Sequence, residues 1–412
     1  MDWMKRYPVS EHIMEAVREA RRTLHKHPEL SHEEEKTAAY VTDFLKQLGL
    51  EVHTGLAGCG VLGVLHGKGS GPTIALRADM DALPIQEENE VSYKSKKAGV
   101  MHACGHDAHT AMLLGTASYL AEIHEQWQGT VLFVFQPAEE DAPIGGAQTM
   151  MEEGVFKEYQ PDTIFAQHVW PDLPVGTFGV KAGAMMANSD RFQLIIKGAG
   201  GHASMPHQGV DTIVAANQMI SALQTIISRN TDPLDSAVIT VGTMQAGERY
   251  NVIPREAVLE GTVRTLTYQT KEQVKERFYQ IVEQTASAMG VEAEVYYYDG
   301  YPATINDEEL SSFVKDTLAK NYGEETVPQV VPSLGGEDFG RFLLHYPGVY
   351  YWLGTAIKER EVQKPLHDPM FDIDEGALRY GVEAMSLLTL EALGGKDKED
   401  DGNGNTGEQH DR

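Results

Sequence analysis

A chain of 412 residues with 42% hydrophobic and 8% aromatic residues can build two or three packed domains, which excludes a disordered or fibrous protein. Its formal net charge of −27 opposes binding to nucleic acid, whose phosphates require clustered Lys and Arg. Two cysteines, an N-terminus (MDWMKRYPVSEH) without an apolar signal core and the lack of any run of about 18 apolar residues point to a cytoplasmic protein, neither secreted nor membrane-bound.

The predicted elements begin with two helices. VREARRTLHKHPEL and EEEKTAAYVTDFLKQLG carry helical spacing, and Gly49 is placed to end the second. Short apolar runs follow at TIALR (73–77), TVLFVF (130–135) and TIFA (163–166), read as strands covered on both faces, hence a sheet between helix layers. They lead into ADMDALP, QPAEE and QHVW, and ligands of α/β sheets sit beyond the carboxyl ends of strands. The middle of the chain changes character. RFQLIIK (191–197) alternates, with Phe192, Leu194 and Ile196 on one face. A helix is predicted from about Asp211, with Ile213, Ala216, Ile220, Leu223 and Ile227 along its apolar stripe. Strands AVITVGTM (237–244) and AVLEGTV (257–263) come next. A second helix is predicted from Thr270, with Gln273 placed for a capping box, a stripe of Val274, Phe278, Ile281, Val282 and Met289, and Gly290 as its C-terminal cap. VEAEVYY (291–297) completes the order β-α-β-β-α-β of a ferredoxin-like unit. The expected organisation is a first domain over 1–185 and 299–393, resuming through GVYYWLGT and a terminal helix (374–393), with an inserted domain at 186–298. The tail, 394–412, lacks apolar residues and is predicted to be disordered.

MHACGHDAHT (101–110) holds three of the 16 histidines and one of the two cysteines. With PAEED (137–141), AQHVW (166–170) and PLHDP (365–369), it makes four clusters of Cys, His and Glu, a donor set that suits zinc and extends to manganese or cobalt. Cys104 as a buried thiol or a nucleophile is the alternative; a nucleophile needs one base and one orienting group, not several further ligand-type residues. Glu139 and Glu140 follow an apolar strand, and a cation would offset their like charges. One can ligate metal while the other takes a proton from metal-bound water; spacing does not say which. His102 and His109 are read as partners of ligands or as buried, hydrogen-bonded side chains. His25, His27 and His32 are placed on the surface, and Cys59 as a small buried residue. Met150, Met151 and Tyr296–Tyr298 are read as packing.

RADMDALP, MHACGHD, FQPAEE, GGHASMPH, NVIP, GTVRT, GGEDF and LHDP occur in this order. Over roughly residues 10–393 the chain resembles the metallopeptidase family of aminoacylases, bacterial carboxypeptidases and succinyl-diaminopimelate desuccinylase. The nearest subfamily is that of N-acyl-amino-acid amidohydrolases, hippurate hydrolases and plant auxin-conjugate hydrolases. The resemblance implies an α/β fold: a mixed-sheet α/β/α catalytic domain with an inserted ferredoxin-like lid used for dimerisation. It also implies two divalent metal ions, Zn, Mn, Co or Ni. Cys104, His106, Glu140, His168 and His367 are the implied ligands, with Cys104 bridging where the wider family uses aspartate, and Glu139 is the implied general base. The wider family carries His-x-Asp where this chain has Arg77-Ala78-Asp79. His106 is therefore taken to replace that histidine, and Asp79 to orient a histidine ligand. Asp368 stands where LHNP or LHSP is common. His202 resembles the histidine that reaches a neighbouring subunit's site and stabilises the oxyanion. Asn251, Arg264 and Gly336 match substrate-contacting positions, Arg264 as a carboxylate clamp; an ordinary strand arginine is its alternative reading. The implied activity is hydrolysis of N-acetyl- or N-aroyl-amino acids by metal-activated water, in a homodimer or homotetramer. A carboxypeptidase or dipeptidase with the same site is the nearest alternative, ahead of a non-catalytic protein of this fold and a thiol enzyme using Cys104.

Overall fold

The computed structural model describes residues 3–394; the tail expected to be disordered lies outside them, apart from Gly394. A seven-stranded mixed sheet organises the larger half of the chain. Its strands lie in the order Glu51–Leu56, Gly60–His66, Thr130–Gln136, Thr73–Asp79, Thr163–Pro174, Gly348–Ala356, Phe178–Gly179. The four from Thr130–Gln136 to Gly348–Ala356 run parallel, so their carboxyl ends share one edge. TVLFVF is apolar throughout because both faces are covered. Val131, Phe133 and Phe135 enter a core with the helices Glu11–Lys26, His106–Glu122 and Ala377–Gly394, while Leu132 and Val134 pack on the other side with Ala147, Met150 and Phe156. The helix His106–Glu122 is buried from His106 through Leu120, which fixes its first turn beneath the strand ends.

The sequence reading did not identify the antiparallel hairpin Glu51–Leu56 and Gly60–His66, whose glycines interrupt the alternation. No helix among the described residues is long and apolar enough to cross a membrane.

Residues 190–298 form a second sheet in the order Ala237–Ala246, Glu256–Thr265, Asp190–Lys197, Glu292–Tyr298, antiparallel throughout. Two helices, Thr212–Thr225 and Tyr268–Met289, share with it a separate apolar core that includes Phe192, Leu194, Ile196, Met219, Leu223 and Phe278. Asp211 caps the first helix by accepting from the Ile213 and Val214 amides. Its buried face is centred on Ala215, Ala216, Met219 and Leu223, and Ile213 is exposed. The second helix starts before Thr270: the Thr267 hydroxyl caps it by accepting from the Thr270 amide, and Gln273 reaches the Asn230 carbonyl instead of closing a capping box. Gly290, at φ +67°, ends it as expected. Tyr297 packs on Phe278, but Tyr296 and Tyr298 are exposed.

Candidate metal centre

Asp79 and Gln136 end neighbouring parallel strands in register, and His168 lies one strand further along the edge. Between them the helix His106–Glu122 starts at Gly105, φ +88°, where a Cβ would overlap the Val169 side chain. Glycine is required there both for the left-handed turn and for the close approach. Cys104 thus sits just before the N-terminus of a helix, whose partial positive charge faces the site.

The histidines converge through one ring atom. His106 Nδ1 is 2.9 Å from the Asp81 carbonyl oxygen and 3.2 Å from Asp81 Oδ1, and His168 Nδ1 is 2.7 Å from the Val169 carbonyl oxygen. A ring nitrogen facing a carbonyl donates, which leaves each Nε2 for the site. His168 Nε2 is 3.4 Å from Cys104 Sγ. His106 Nε2 and Glu140 Oε1 are buried without a hydrogen-bond partner, and Glu140 Oε1 lies 3.2 Å from His367 Nε2. The donor atoms of Cys104, His106 and His168 lie within 4.8 Å of one another, as do those of Cys104, Glu140 and His367 and those of His106, Glu139 and Glu140. Burial lowers the His106 pKa, but Asp79, Asp81 and Glu140 more than offset it and raise it to about 10. Burial, followed by Glu140, Glu139 and Asp79, holds the Cys104 thiol well above its ordinary range. This is an excess of negative charge around orphaned donors, and it fits a divalent cation, which would also deprotonate the thiol.

Glu139 is buried on the same turn, its pKa pushed well up by desolvation and by Glu337, Glu140, Asp338 and Asp81. Its carbonyl oxygen accepts from the Tyr301 hydroxyl at 2.6 Å. The preceding Ala138 has φ +53° and donates its amide to Glu34, while the Glu140 amide donates to Asp81.

Asp79 does not occupy the place expected of it. Its Oδ1 is 2.6 Å from His109 Nδ1, and His109 Nε2 accepts from the Val169 amide, so both nitrogens of that ring are engaged away from the donor cluster. Its Oδ2 is 2.7 Å from Arg77 and 3.8 Å from His106 Nε2. The carboxylate that holds His106 is Asp81, which sequence reasoning missed although it stands two positions on in the same motif. Arg77 is fully buried and pairs with Asp79, Glu337 and Asp338. His102 is buried with neither nitrogen hydrogen-bonded, and burial lowers its pKa to about 4.

His25 is likewise not on the surface. It and Arg21 continue the buried stripe of Ile13, Met14, Val17 and Leu24, and His25 is pinned between Asp107 (2.8 Å) and Glu87 (3.2 Å). His27 and His32 are exposed, and Cys59 is only half-buried.

The remaining expected residues fall into two further groups. Arg264 is half-buried with no carboxylate partner among the described residues; it donates to the Asn188 carbonyl at 3.4 Å, and a Cβ on Gly336 would come within 3.7 Å of its guanidinium. His202 pairs in register with Val252, beside Asn251, in the ribbon Gly201–His202 and Val252–Ile253. It is exposed and held by Ser204, and Asn251 Oδ1 is buried without a partner.

The profile described as "Peptidase family M20/M25/M40" matches residues 75–391. An N-acetyl-L-cysteine deacetylase of Bacillus subtilis is 44% identical over 358 residues, 87% of this chain and 83% of the relative. Thermostable carboxypeptidase 2 of Saccharolobus solfataricus is 39% identical over 380 residues, 92% and 95% of the two chains. A crystal structure from Bacillus subtilis, described as a dinuclear metal binding peptidase from M20 family, superimposes with a TM-score of 0.81 at 37% identity, covering 93% of this chain and 99% of that one. This chain belongs to peptidase family M20/M25/M40 and is a hydrolase of amide bonds.

Proposed function

We propose that this protein is a metal-dependent N-acyl-L-amino-acid amidohydrolase that binds two divalent ions through Cys104, His106, Glu140, His168 and His367. The observation that carries the reading is the convergence of those donors, with His106 Nε2 and Glu140 Oε1 buried without a hydrogen bond, beside a buried Glu139. The ions, Zn, Mn, Co or Ni, would supply Lewis-acid polarisation of the scissile carbonyl and a water acidic enough to lose a proton near neutral pH. Glu139 takes that proton and returns it to the leaving nitrogen as the C–N bond breaks, yielding a carboxylate and a free amine. Its burial among other carboxylates suits it to carry the proton between the two steps. Asp81 keeps the His106 ring aimed; Asp79, paired with Arg77 and His109, adds negative charge 3.8 Å from His106 Nε2. Arg264 clamps the substrate carboxylate, and Gly336 leaves room beside it. His202, exposed on the ribbon of the inserted unit, and the half-buried Asn251 beside it serve the oxyanion in the site of a second copy. Residues 186–298 are thus a lid and dimerisation domain inserted into a catalytic domain of 1–185 and 299–393, in a cytoplasmic homodimer or homotetramer.

A carboxypeptidase using the same site is the second reading, favoured by the 39% identity to the archaeal carboxypeptidase. The test is hydrolysis of N-acetyl, N-benzoyl and dipeptide substrates by metal-stripped enzyme with each ion restored, beside Glu139→Gln. Metal-restored cleavage of N-acyl amino acids, reduced about 10²–10⁴-fold in the variant, is expected. Cleavage confined to peptides selects the second reading, and activity that survives stripping or the substitution overturns both.

A further inference from the structure

We propose that Tyr301 is a positioning residue for Glu139, acting from the crossing where the chain enters and leaves the inserted unit. The inference rests on the reading of Glu139 as the general base. The turn that carries Glu139 is unfavourable for an alanine, since Ala138 sits at φ +53°. Such a conformation persists only where its surroundings over-determine it. Three main-chain groups of the turn are held by side chains from distant segments. The Ala138 amide donates to Glu34 at 2.8 Å and the Glu140 amide to Asp81 at 2.9 Å. The third is the carbonyl of the base itself, which accepts from the Tyr301 hydroxyl at 2.6 Å.

Glu34 and Asp81 belong to the catalytic half. Tyr301 belongs to the segment returning from the inserted unit, just after the strand Glu292–Tyr298, and its own backbone is locked to the segment going in. Its amide donates to Ser189 Oγ at 3.2 Å, and its carbonyl accepts from the Ser189 amide at 3.1 Å. The neighbouring Gly300 donates to Asp190 at 2.9 Å, and a Cβ on it would overlap the Ser189 carbonyl. The two segments therefore pass too closely to move independently there. Gly145 leaves room for the Tyr301 ring, since a Cβ there would come within 3.0 Å of its hydroxyl. Arg264 joins the same crossing through the Asn188 carbonyl, one residue before Ser189. The candidate carboxylate clamp and the base are thus linked through residues 188–190 and 300–301, and a shift of the inserted unit reaches Glu139 through one hydroxyl.

The experiment uses the full-length, metal-loaded enzyme. Tyr301→Phe keeps the ring and removes only the donor. The expected result is a kcat about 10–100-fold lower, with KM, metal content and the visible spectrum of the cobalt form unchanged. Amide exchange in the peptide covering 137–145 rises, while that covering 163–168 does not. Ser189→Ala moves kcat the same way by less, and adds little to Tyr301→Phe because both act through one contact. A kcat within two-fold of wild type with unchanged exchange overturns the inference, as does a kcat loss that follows loss of metal. Full activity in Glu139→Gln would instead remove the reading of the base; the exchange measurement then decides by itself whether Tyr301 holds the turn.

Discussion

In the inserted unit, Phe192, Leu194, Phe278 and Val282 fill the space between sheet and helices with apolar atoms alone, and burial itself stabilises the fold. At the strand ends of the catalytic half, Arg77, Asp79, Asp81, His106 and Asp338 are buried as deeply, and each loses hydration that it must recover from a partner. Arg77 recovers it from three carboxylates, Asp81 from Ser31, His106 and the Glu140 amide. His106 Nε2 and Glu140 Oε1 find no hydrogen-bond partner in the protein, although His367 Nε2 stands 3.2 Å from Glu140 Oε1. A core can be made from side chains that are merely apolar and of suitable size. The polar centre requires particular partners at particular atoms, so substitutions in the two regions should fail in different ways.

The largest effects pair one residue from each region. Phe278→Ala leaves a cavity in the inserted unit and should cost about 3–5 kcal/mol, independent of pH between 6 and 8, with metal content unchanged. Arg77→Met leaves Asp79, Glu337 and Asp338 buried without their cation and should cost a similar amount, about 3–5 kcal/mol. That cost should shrink as pH falls, because protonation removes the uncompensated charges; Asp338, raised to about 7 by burial and Glu337 despite Arg77, is the first to respond. Denaturant unfolding of both variants at pH 6 and 8, with metal assayed alongside, checks the contrast. Equal pH dependence would erase the distinction between the regions.

A smaller effect tests the partner rule at one atom. Asp81→Asn keeps the shape but weakens the hold on His106 Nδ1, and the centre should lose metal affinity by about 10–100-fold, measured by competition with a chelating dye. Asp79→Asn should change affinity less, because Asp79 Oδ1 is spent on His109 and its Oδ2 on Arg77, 3.8 Å short of His106 Nε2. The opposite ranking would restore Asp79 as the orienting carboxylate.

The same contrast decides what could be read from the sequence. Alternation in RFQLIIK and VEAEVYY, and the unbroken apolar run TVLFVF, record burial directly, so the order of the inserted unit and the sheet between helices were legible. Cys104, His106, Glu139, Glu140, His168 and His367 were legible as chemistry-bearing clusters because their residue types are rare in such density. What was hidden is partnership. Nothing local says that Tyr301 donates to Glu139 from 162 positions away, or that Glu34 holds Ala138 across 104. The helix start at Tyr268 in place of Thr270 was misplaced because two threonines three apart both suit a cap, and only the Thr267 hydroxyl meets a free amide. His25 was legible in principle: four and eight residues after Arg21 and Val17, it lies on the buried stripe, but its charged neighbours outweighed the spacing.

His25 supplies the smallest and most selective prediction, since it is a polar group buried away from the donor cluster. Burial lowers its pKa, but the charge and hydrogen bond of Asp107, with the hydrogen bond of Glu87, more than offset this and raise it from 6.5 to about 9. The protonated ring is therefore favoured by folding. Its contribution is fully present below the unfolded value of about 6.5 and is lost as pH rises through about 9. About 1 kcal/mol of it should remain at pH 8 and almost none at pH 10. The stability difference between wild type and His25→Gln should accordingly narrow from pH 6 to pH 10, most steeply between 7 and 9. A carboxylate losing its partner would give the reverse trend with falling pH, so the sign alone identifies the group. A difference constant over that range would mean that His25 is neutral in the folded protein, held between Asp107 and Glu87 by a single proton and acting as an ordinary core side chain.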